Sequence, residues 1–402
     1  MKNEREAALD YLADIFSGRQ TRINIITPLV TEITAGTLRH LIYIDYIIAA
    51  FNNKKLRPKI LNLLRISVYQ LVFMDHVPPY AVINEAVGIC RKLGFGGLCG
   101  FVNAVLRGVE GCADLPTPDS SDSIVYNSIR FSVPEWIVRM WAREYGVDVA
   151  GKLCLSLSER PRITVCVNKT KTTPSKLREI LKNEGLSVFD TVHENALEIQ
   201  KISDLSKLSA YKRGLFHVMD ISSMLACDVI EPVKGASLLD VCAAPGGKAF
   251  YFAMRGVRVT AADKNPAKLE LVKSGAMRLG LDIEVLDRDA TVFDAGLQSK
   301  FDYVLVDAPC SGLGVLRKKP DIKLNRKESD IESLADLQAR ILENSAKYLR
   351  LGGYLLYSTC TLSKRENQAN ARGLAGFTLE TEREIMPYEY ESDGFYTAKL
   401  RR

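Results

Sequence analysis

The sequence predicts a multidomain chain in three parts: an all-α segment over residues 1–122, a small α+β segment over 123–218, and an α/β domain with a doubly wound, mostly parallel sheet over 219–402. Three observations carry this. A chain of 402 residues is too long for one ordinary hydrophobic core. The first ~120 residues place apolar side chains at helical spacing and show no strand alternation. Beyond residue 219, short apolar runs alternate with amphipathic helical stretches, which is the pattern of βαβ units.

In the first segment, EREAALDYLADIFSG puts Ala8, Leu12, Ile15 and Phe16 on one helical face and stops at Gly18. PKILNLLRISVYQLVFM carries Pro58 where a helix tolerates it, in the first turn. PPYAVINEAVGICRKLG and GLCGFVNAVLRGVEG follow, each ended by glycine. ADLPTPDSSDS, residues 113–123, reads as a linker. The middle segment opens on the helix VPEWIVRMWAREYG, which holds Trp136 and Trp141. PRITVCVNKT alternates like a strand, TPSKLREILKNEGL is a capped helix, and HENALEIQ and GLFHVMD are further strands. In the last segment the strands are SLLDVCA, VRVTAAD, IEVLDRDA, FDYVLVDAPC and YLLYSTCT. The helices between them are GKAFYFAMRG, NPAKLELVKSGAMRLG and DLQARILENSAKYLRLGG. No internal repeat is present.

Composition narrows the function classes. The chain is 47% hydrophobic and 25% charged, which is ordinary for a globular protein. Its nine cysteines contain no C-x-x-C pair and there are four histidines, so no zinc or dithiol site is expected. Scattered cysteines in odd number fit a reducing compartment. The N-terminus lacks a secretory apolar core, and LIYIDYIIAAF is too short for a bilayer and is broken by Asp45. A soluble, cytoplasmic protein with no membrane partner is expected. The net charge of +6 is unevenly placed: residues 123–218 hold 15 Lys+Arg against 10 Asp+Glu, and the flanking segments are close to neutral. That excess hints at a polyanionic partner, although a solvated surface explains it equally well.

Three motifs carry chemistry. In LLDVCAAPGGKA, residues 238–249, a strand enters a small turn and then a helix, with Gly246 and Gly247 allowing close approach of backbone to a ligand. The pattern is neither G-x-G-x-x-G nor a Walker loop. Asp240, Asp263 and Asp289 each end a successive strand. Asp263 suits ribose hydroxyls and Asp289 an adenine amine, so the three favour a nucleoside cofactor over simple helix caps. VLVDAPCSGLG, residues 304–314, ends a buried strand in Asp307 and then Cys310 in a glycine-bounded turn. YSTCT, residues 357–361, places Cys360 just beyond another strand of the same sheet. A lone cysteine is most often a small buried hydrophobe, but packing alone does not ask for one in both loops.

Taken together, DVCAAPGGK, DAPCSGLG and YSTCTL resemble the NOL1/NOP2/Sun family of RNA cytosine-5 methyltransferases. INEAVGICRKLGFGGLCGFVNAVLR resembles a NusB-like RNA-binding domain, and the likeness covers essentially the whole chain. The resemblance implies a Rossmann-like methyltransferase domain over 219–402 and S-adenosylmethionine as methyl donor. The donor would be held by Cys242, Ala243, Ala244, Pro245, Gly246, Gly247 and Lys248 of the turn together with Asp263, Asp289 and Asp307. It implies Cys360 as the nucleophile that adds to carbon 6 of cytosine and Cys310 as the residue that allows release. Asp307 is suited to hydrogen bonding or protonation at N3, and Lys248, at the start of a helix, to lowering a thiol pKa unless it is only a surface lysine. A NusB-like domain on this core implies 16S ribosomal RNA as substrate, free or in an assembling small subunit, with no DNA partner and a monomeric state. Two positions depart from the family pattern: Met219 stands where an amide is usual, and Cys166 where an arginine is usual. The basic run Arg317, Lys318, Lys319, Lys323, Arg326 and Lys327 is a phosphate contact or a solvated charge run. Two other readings stand beside the first: the same chemistry on tRNA, and an inert NusB-like RNA-binding protein.

Overall fold

The computed structural model describes residues 3–19, 27–200, 202 and 204–402. Two compact units emerge, Met1–Arg160 with Leu316–Arg326, and Pro161–Val315 with Lys327–Arg402. The fold class is the one the sequence predicts: helices first, then a small mixed layer, then an α/β sheet.

In the first unit, helices Glu4–Phe16, Pro28–Arg39, Leu41–Phe51, Pro58–Phe73, Pro79–Lys92 and Cys99–Glu110 surround one core, with Leu12, Ile33, Ile44, Leu63, Ile83 and Leu106 fully enclosed. Start signals are local. Asn3 and Thr27 cap their helices by accepting from the amides of Glu6 and Val30, and Pro58 occupies a first turn. Phe16, expected on the buried face, is instead partly exposed, because Ile15 takes the core position at that end and the Arg65 guanidinium covers the Phe16 ring at 4.8 Å. The unit continues through helices Ser123–Arg130, Glu135–Tyr145 and Val147–Ser158, beyond the expected boundary at 122.

Residues 316–326 belong to this helical unit, and that corrects the reading of the basic run. Arg317 is 1% exposed, and its carbonyl accepts from Arg39 Nε at 3.1 Å. The Lys323 ammonium donates to the carbonyls of Arg39 (2.7 Å) and Ser132 (2.6 Å). Burial, reinforced by the Arg39 charge, pushes Lys323 down to about 7. These two cations are structural; Lys319 and Lys327 are the exposed members of the run.

The second unit holds two sheets. The smaller is antiparallel, with strands β1 (Ile163–Val167), β2 (Ser187–Asp190), β3 (Ala196–Gln200) and β4 (Phe216–Val218) in the order β2-β3-β1-β4. Strand alternation sends Val165 and Val167 to one face, against Leu177 and Leu181 of helix Pro174–Asn183. Cys166 points to the other face and joins Met219 in the core under the larger sheet. Both departures from the family pattern are therefore filled by buried packing residues.

The larger sheet comprises β5 (Ser237–Asp240), β6 (Arg258–Asp263), β7 (Ile283–Asp287), β8 (Phe301–Asp307), β9 (Leu349–Thr359), β10 (Thr378–Ile385) and β11 (Phe395–Arg401), ordered β10-β11-β9-β8-β5-β6-β7. Strands β5 to β9 pair in parallel, and β11 runs antiparallel to both β9 and β10. Leu238, Tyr303 and Leu305 face one core, and Leu239, Val304 and Val306 the other, so the sheet is covered on both sides. From β5 the chain winds outward through β6 and β7, then returns to β8 on the opposite side of β5. The carboxyl ends of β5 and β8 thus flank a topological switch point, where α/β sheets bind ligands.

A charged clasp ties the smaller sheet to the larger one. His193 Nε2 meets Asp228 Oδ2 at 2.9 Å, Tyr251 OH donates to Asp228 Oδ1 at 2.6 Å, and Arg255 Nη2 reaches the same oxygen at 2.5 Å. Burial pushes the Asp228 carboxyl up, but these partners outweigh it and hold it at about 2. A carboxylate with a depressed folded pKa contributes stability that is complete above its unfolded pKa and lost as pH falls through the folded one. Asp228→Asn should therefore cost about 1–2 kcal/mol of unfolding free energy at neutral pH, discounted for partial exposure. Urea denaturation should show the wild-type advantage disappearing between about pH 4 and about pH 2. An equal difference at both pH values would contradict the clasp.

Candidate active site

The three motifs converge at the switch point. Asp240 ends β5, Asp263 ends β6, Asp307 ends β8, and Cys360 follows directly on β9. Cys310 lies three residues beyond β8, and its Sγ is 3.4 Å from Cys360 Sγ. The parallel pairing of β8 with β9 sets Asp307 opposite Ser358, which brings the two loops side by side. Gly314 then lets them close: its amide donates to the Cys360 carbonyl at 3.0 Å, and a Cβ there would lie 2.9 Å from that oxygen and 2.1 Å from the Gly394 carbonyl oxygen. The second glycine of DAPCSGLG is thus a contact requirement.

Asp307 sits between two donors. Lys248 Nζ approaches Oδ2 at 2.6 Å, and Ser358 Oγ donates to Oδ1 at 2.9 Å. Lys248 is buried, with its ammonium 4.7 Å from the Phe395 ring centroid. Burial opposes its charge, and the Asp307 carboxylate more than compensates, so its pKa is raised. Asp240 is enclosed beneath the turn and accepts from the Cys242 amide at 3.3 Å. Burial and then the negative charge of Asp307 push it up to about 8, so it keeps its proton at neutral pH. The Cys310 thiol is driven well above the ordinary cysteine value by its hydrogen bond with Cys360 and by burial.

A cleft of about 200 Å³ opens beside this group, lined by Cys242, Ala244, Asp263, Asp289 and Asp307 among the expected cofactor residues, with Lys264 and Lys268 at its edge. Asp263 accepts from the amides of Ala244 (3.3 Å) and Asn265 (3.0 Å). Asp289 is exposed and accepts from the amide and hydroxyl of Thr291, which holds its pKa down. Ala243, Pro245, Gly246, Gly247 and Lys248 do not line the cleft and instead build the turn behind it. Gly246 takes φ 110°, and a Cβ would lie 2.3 Å from Phe250 Cζ, so glycine is required there for conformation and packing. Gly247 opens onto free space.

Sequence reasoning missed the polar layer under the two cysteine loops. Glu366, Gln338 and Ser358 are fully enclosed, and Glu366 binds Ser311, the neighbour of Cys310. Glu366 lies six residues past Cys360 in a run of polar residues, and its partners are 28 and 55 residues away. Only the unusual acid placed shortly after an apolar strand offered a hint. Among the described residues, no group of three or more His, Cys, Asp or Glu side chains is arranged to hold a metal ion, and no helix is long and apolar enough to cross a membrane.

Three family models match this chain in succession. Residues 227–374 match the family model for the 16S rRNA methyltransferases RsmB/F, residues 2–111 the NusB family, and residues 133–206 the ferredoxin-like domain of RsmF/B-like methyltransferases. The probable ribosomal RNA small subunit methyltransferase B of Bacillus subtilis is 34% identical over 407 residues, covering 93% of this chain and 90% of the relative. The ribosomal RNA small subunit methyltransferase B of Shewanella oneidensis is 31% identical, covering 92% and 90%. The crystal structure of PH0851 superposes with a TM-score of 0.80 at 22% identity over all of both chains, a likeness of fold. With a full-length relative above 30% identity and all three family models in order, this chain belongs to the RsmB/F family of 16S rRNA methyltransferases.

Proposed function

We propose that the protein methylates carbon 5 of a cytosine in 16S ribosomal RNA, with S-adenosylmethionine as donor and Cys360 and Cys310 as its two working thiols. The observation that carries this reading is the 3.4 Å approach of two cysteines from separate loops beside a Lys248–Asp307 pair. The cleft suits the donor: Asp263, Asp289 and Asp307 present acidic groups to a ligand that is cationic at sulfur and at its amino group. Asp263 would hold the ribose, Asp289 the adenine side, and the turn 242–248 the remainder. When bound, S-adenosylmethionine supplies an electrophilic methyl group.

The protein's own groups do the rest. Carbon 5 of cytosine is a weak nucleophile until the Cys360 thiolate bonds to carbon 6. Proton donation at N3 favours that addition, and the Lys248–Asp307 pair holds the proton to give, with Asp307 as the group that meets the ring. Once Cys360 is bonded to carbon, Cys310 loses its thiol partner, passes its own proton to solvent and acts as a thiolate base. It takes the proton from carbon 5, the carbon 5–carbon 6 double bond re-forms, Cys360 leaves as the thiolate, and N3 returns its proton to the Lys248–Asp307 pair. The target base must leave its stack to reach the two sulfurs. Partnership with rRNA places the work in the cytoplasm.

The direct test is bisulfite mapping of 16S rRNA from cells with and without the gene, together with methyl transfer to that rRNA in vitro. One protected cytosine that appears only with the protein supports the reading. Protection confined to tRNA, or no transfer at all, rejects it. A further result is expected at the cofactor site. Asp263→Ala should weaken S-adenosylmethionine binding by about tenfold or more, because hydrogen bonds from ribose hydroxyls to a carboxylate are charge-assisted. Titration calorimetry on folded protein measures this, and unchanged affinity would remove Asp263 from the site.

A further inference from the structure

A buried carboxylate lies beneath both cysteine loops, and no step above uses it. Glu366 is 0% exposed. Its Oε1 accepts from the Ser311 amide at 2.8 Å and from Gln338 Nε2 at 2.9 Å. Its Oε2 lies 2.5 Å from Ser311 Oγ. The same Ser311 hydroxyl is 2.6 Å from Thr361 Oγ1. Gln338 also donates to the carbonyl of Pro309 at 3.0 Å.

The hydrogen inventory fixes the directions at Oε1. An amide N–H and a side-chain NH₂ can only donate, so both occupants of Oε1 are donors. The Ser311 hydroxyl donates to Oε2, and Thr361 Oγ1 lies within reach of both Ser311 Oγ (2.6 Å) and the same Oε2 (3.4 Å). Burial pushes the Glu366 carboxyl up, and the bonds from Ser311 and Gln338 oppose that rise. Ser311 follows Cys310 directly and Thr361 follows Cys360 directly. One carboxylate therefore links the residues adjacent to both thiols, and Gln338 extends the link to the residue before Cys310.

We propose that Glu366 is a positioning residue that holds the Cys310 and Cys360 loops together and so sets the separation of the two sulfurs. This rests on the two-thiol reading above, but it has a readout that needs neither RNA nor methyl donor. Diamide oxidises a pair of neighbouring thiols to a disulfide and is itself reduced to the hydrazine. Its rate on this pair reports how often the sulfurs meet.

In the full-length protein, Glu366→Gln should slow diamide-driven Cys310–Cys360 disulfide formation by about tenfold, read by mass spectrometry of the linked peptides. One donor of the layer would then face an NH₂ group instead of an oxygen. The variant should also lower kcat for 16S rRNA methylation by about tenfold or more while KM for rRNA changes by less than about threefold, the split expected of misplaced reacting groups. Thr361→Val removes only the rim of the link and should slow disulfide formation in the same direction. It serves as the reporter if Glu366→Gln does not fold. A disulfide rate in the folded variants that equals or exceeds wild type overturns the proposal. If wild-type protein transfers no methyl group but the variants still slow the disulfide, the functional reading fails and the positioning role stands.

Discussion

Cys310→Ala, incubated with 16S rRNA and S-adenosylmethionine, should accumulate a covalent protein–RNA complex that survives denaturing electrophoresis. With Cys360 intact, the thiolate still adds to carbon 6 and carbon 5 still takes its methyl group. The proton left on carbon 5 then has no acceptor, so the sulfur–carbon bond cannot break. Cys360→Ala should do the opposite, binding RNA and donor but forming neither adduct nor product, with turnover down on the order of a thousandfold or more, as for removal of a nucleophile. The double variant should show no adduct. The two sulfurs are 3.4 Å apart, so position alone does not assign their roles. An adduct in Cys360→Ala that vanishes in the double variant would exchange the roles. Full activity in Cys360→Ala would return Cys360 to a packing residue at a strand end.

What the sequence made visible follows the range of the interactions involved. The motif residues were legible because a strand end, a glycine turn and a helix start are each encoded within about ten residues, and parallel pairing then gathers strand ends at one edge. Cys310, Cys360, Asp307 and Asp263 therefore appear where expected. Glu366 and Gln338 did not, because their meaning lies in partners 28 and 55 residues away. The basic run after Cys310 misled for the same reason. Linear charge does not reveal that Arg317 is enclosed or that Lys323 is spent on two carbonyls of the helical unit. Strands β10 and β11 also escaped. TLETEREI, at the edge of the sheet, carries few apolar residues, and its pairing to FYTAKLR closes antiparallel on a sheet that otherwise reads as parallel. Short, polar β2 escaped likewise.

Asp307→Asn should abolish attack itself, and this is separable from any loss at later steps. The carboxylate accepts from Lys248 at 2.6 Å and from Ser358 at 2.9 Å, and it lines the cofactor cleft. An amide in its place cannot relay a proton to N3 and leaves the buried Lys248 ammonium without its counter-ion. General-acid losses of about a hundredfold to ten-thousandfold are expected in kcat at saturating donor. The informative protein is the double variant Cys310→Ala/Asp307→Asn. Cys310→Ala alone stalls after attack and collects the adduct; if addition to carbon 6 needs the proton that the Lys248–Asp307 pair holds, the double variant collects none. Lys248→Met should reach the same end by withdrawing the donor, and combining it with Asp307→Asn should cost less than the product of the two single losses, since the two residues act as one unit. Adduct formation in Cys310→Ala/Asp307→Asn at the rate of Cys310→Ala would show that Asp307 serves the donor site alone and that the proton at N3 comes from elsewhere. Donor affinity measured on the same protein distinguishes the two. A proton-relay role predicts a loss of donor affinity smaller than that of Asp263→Ala, since Asp263 and Asp289 still provide the charge-assisted contacts.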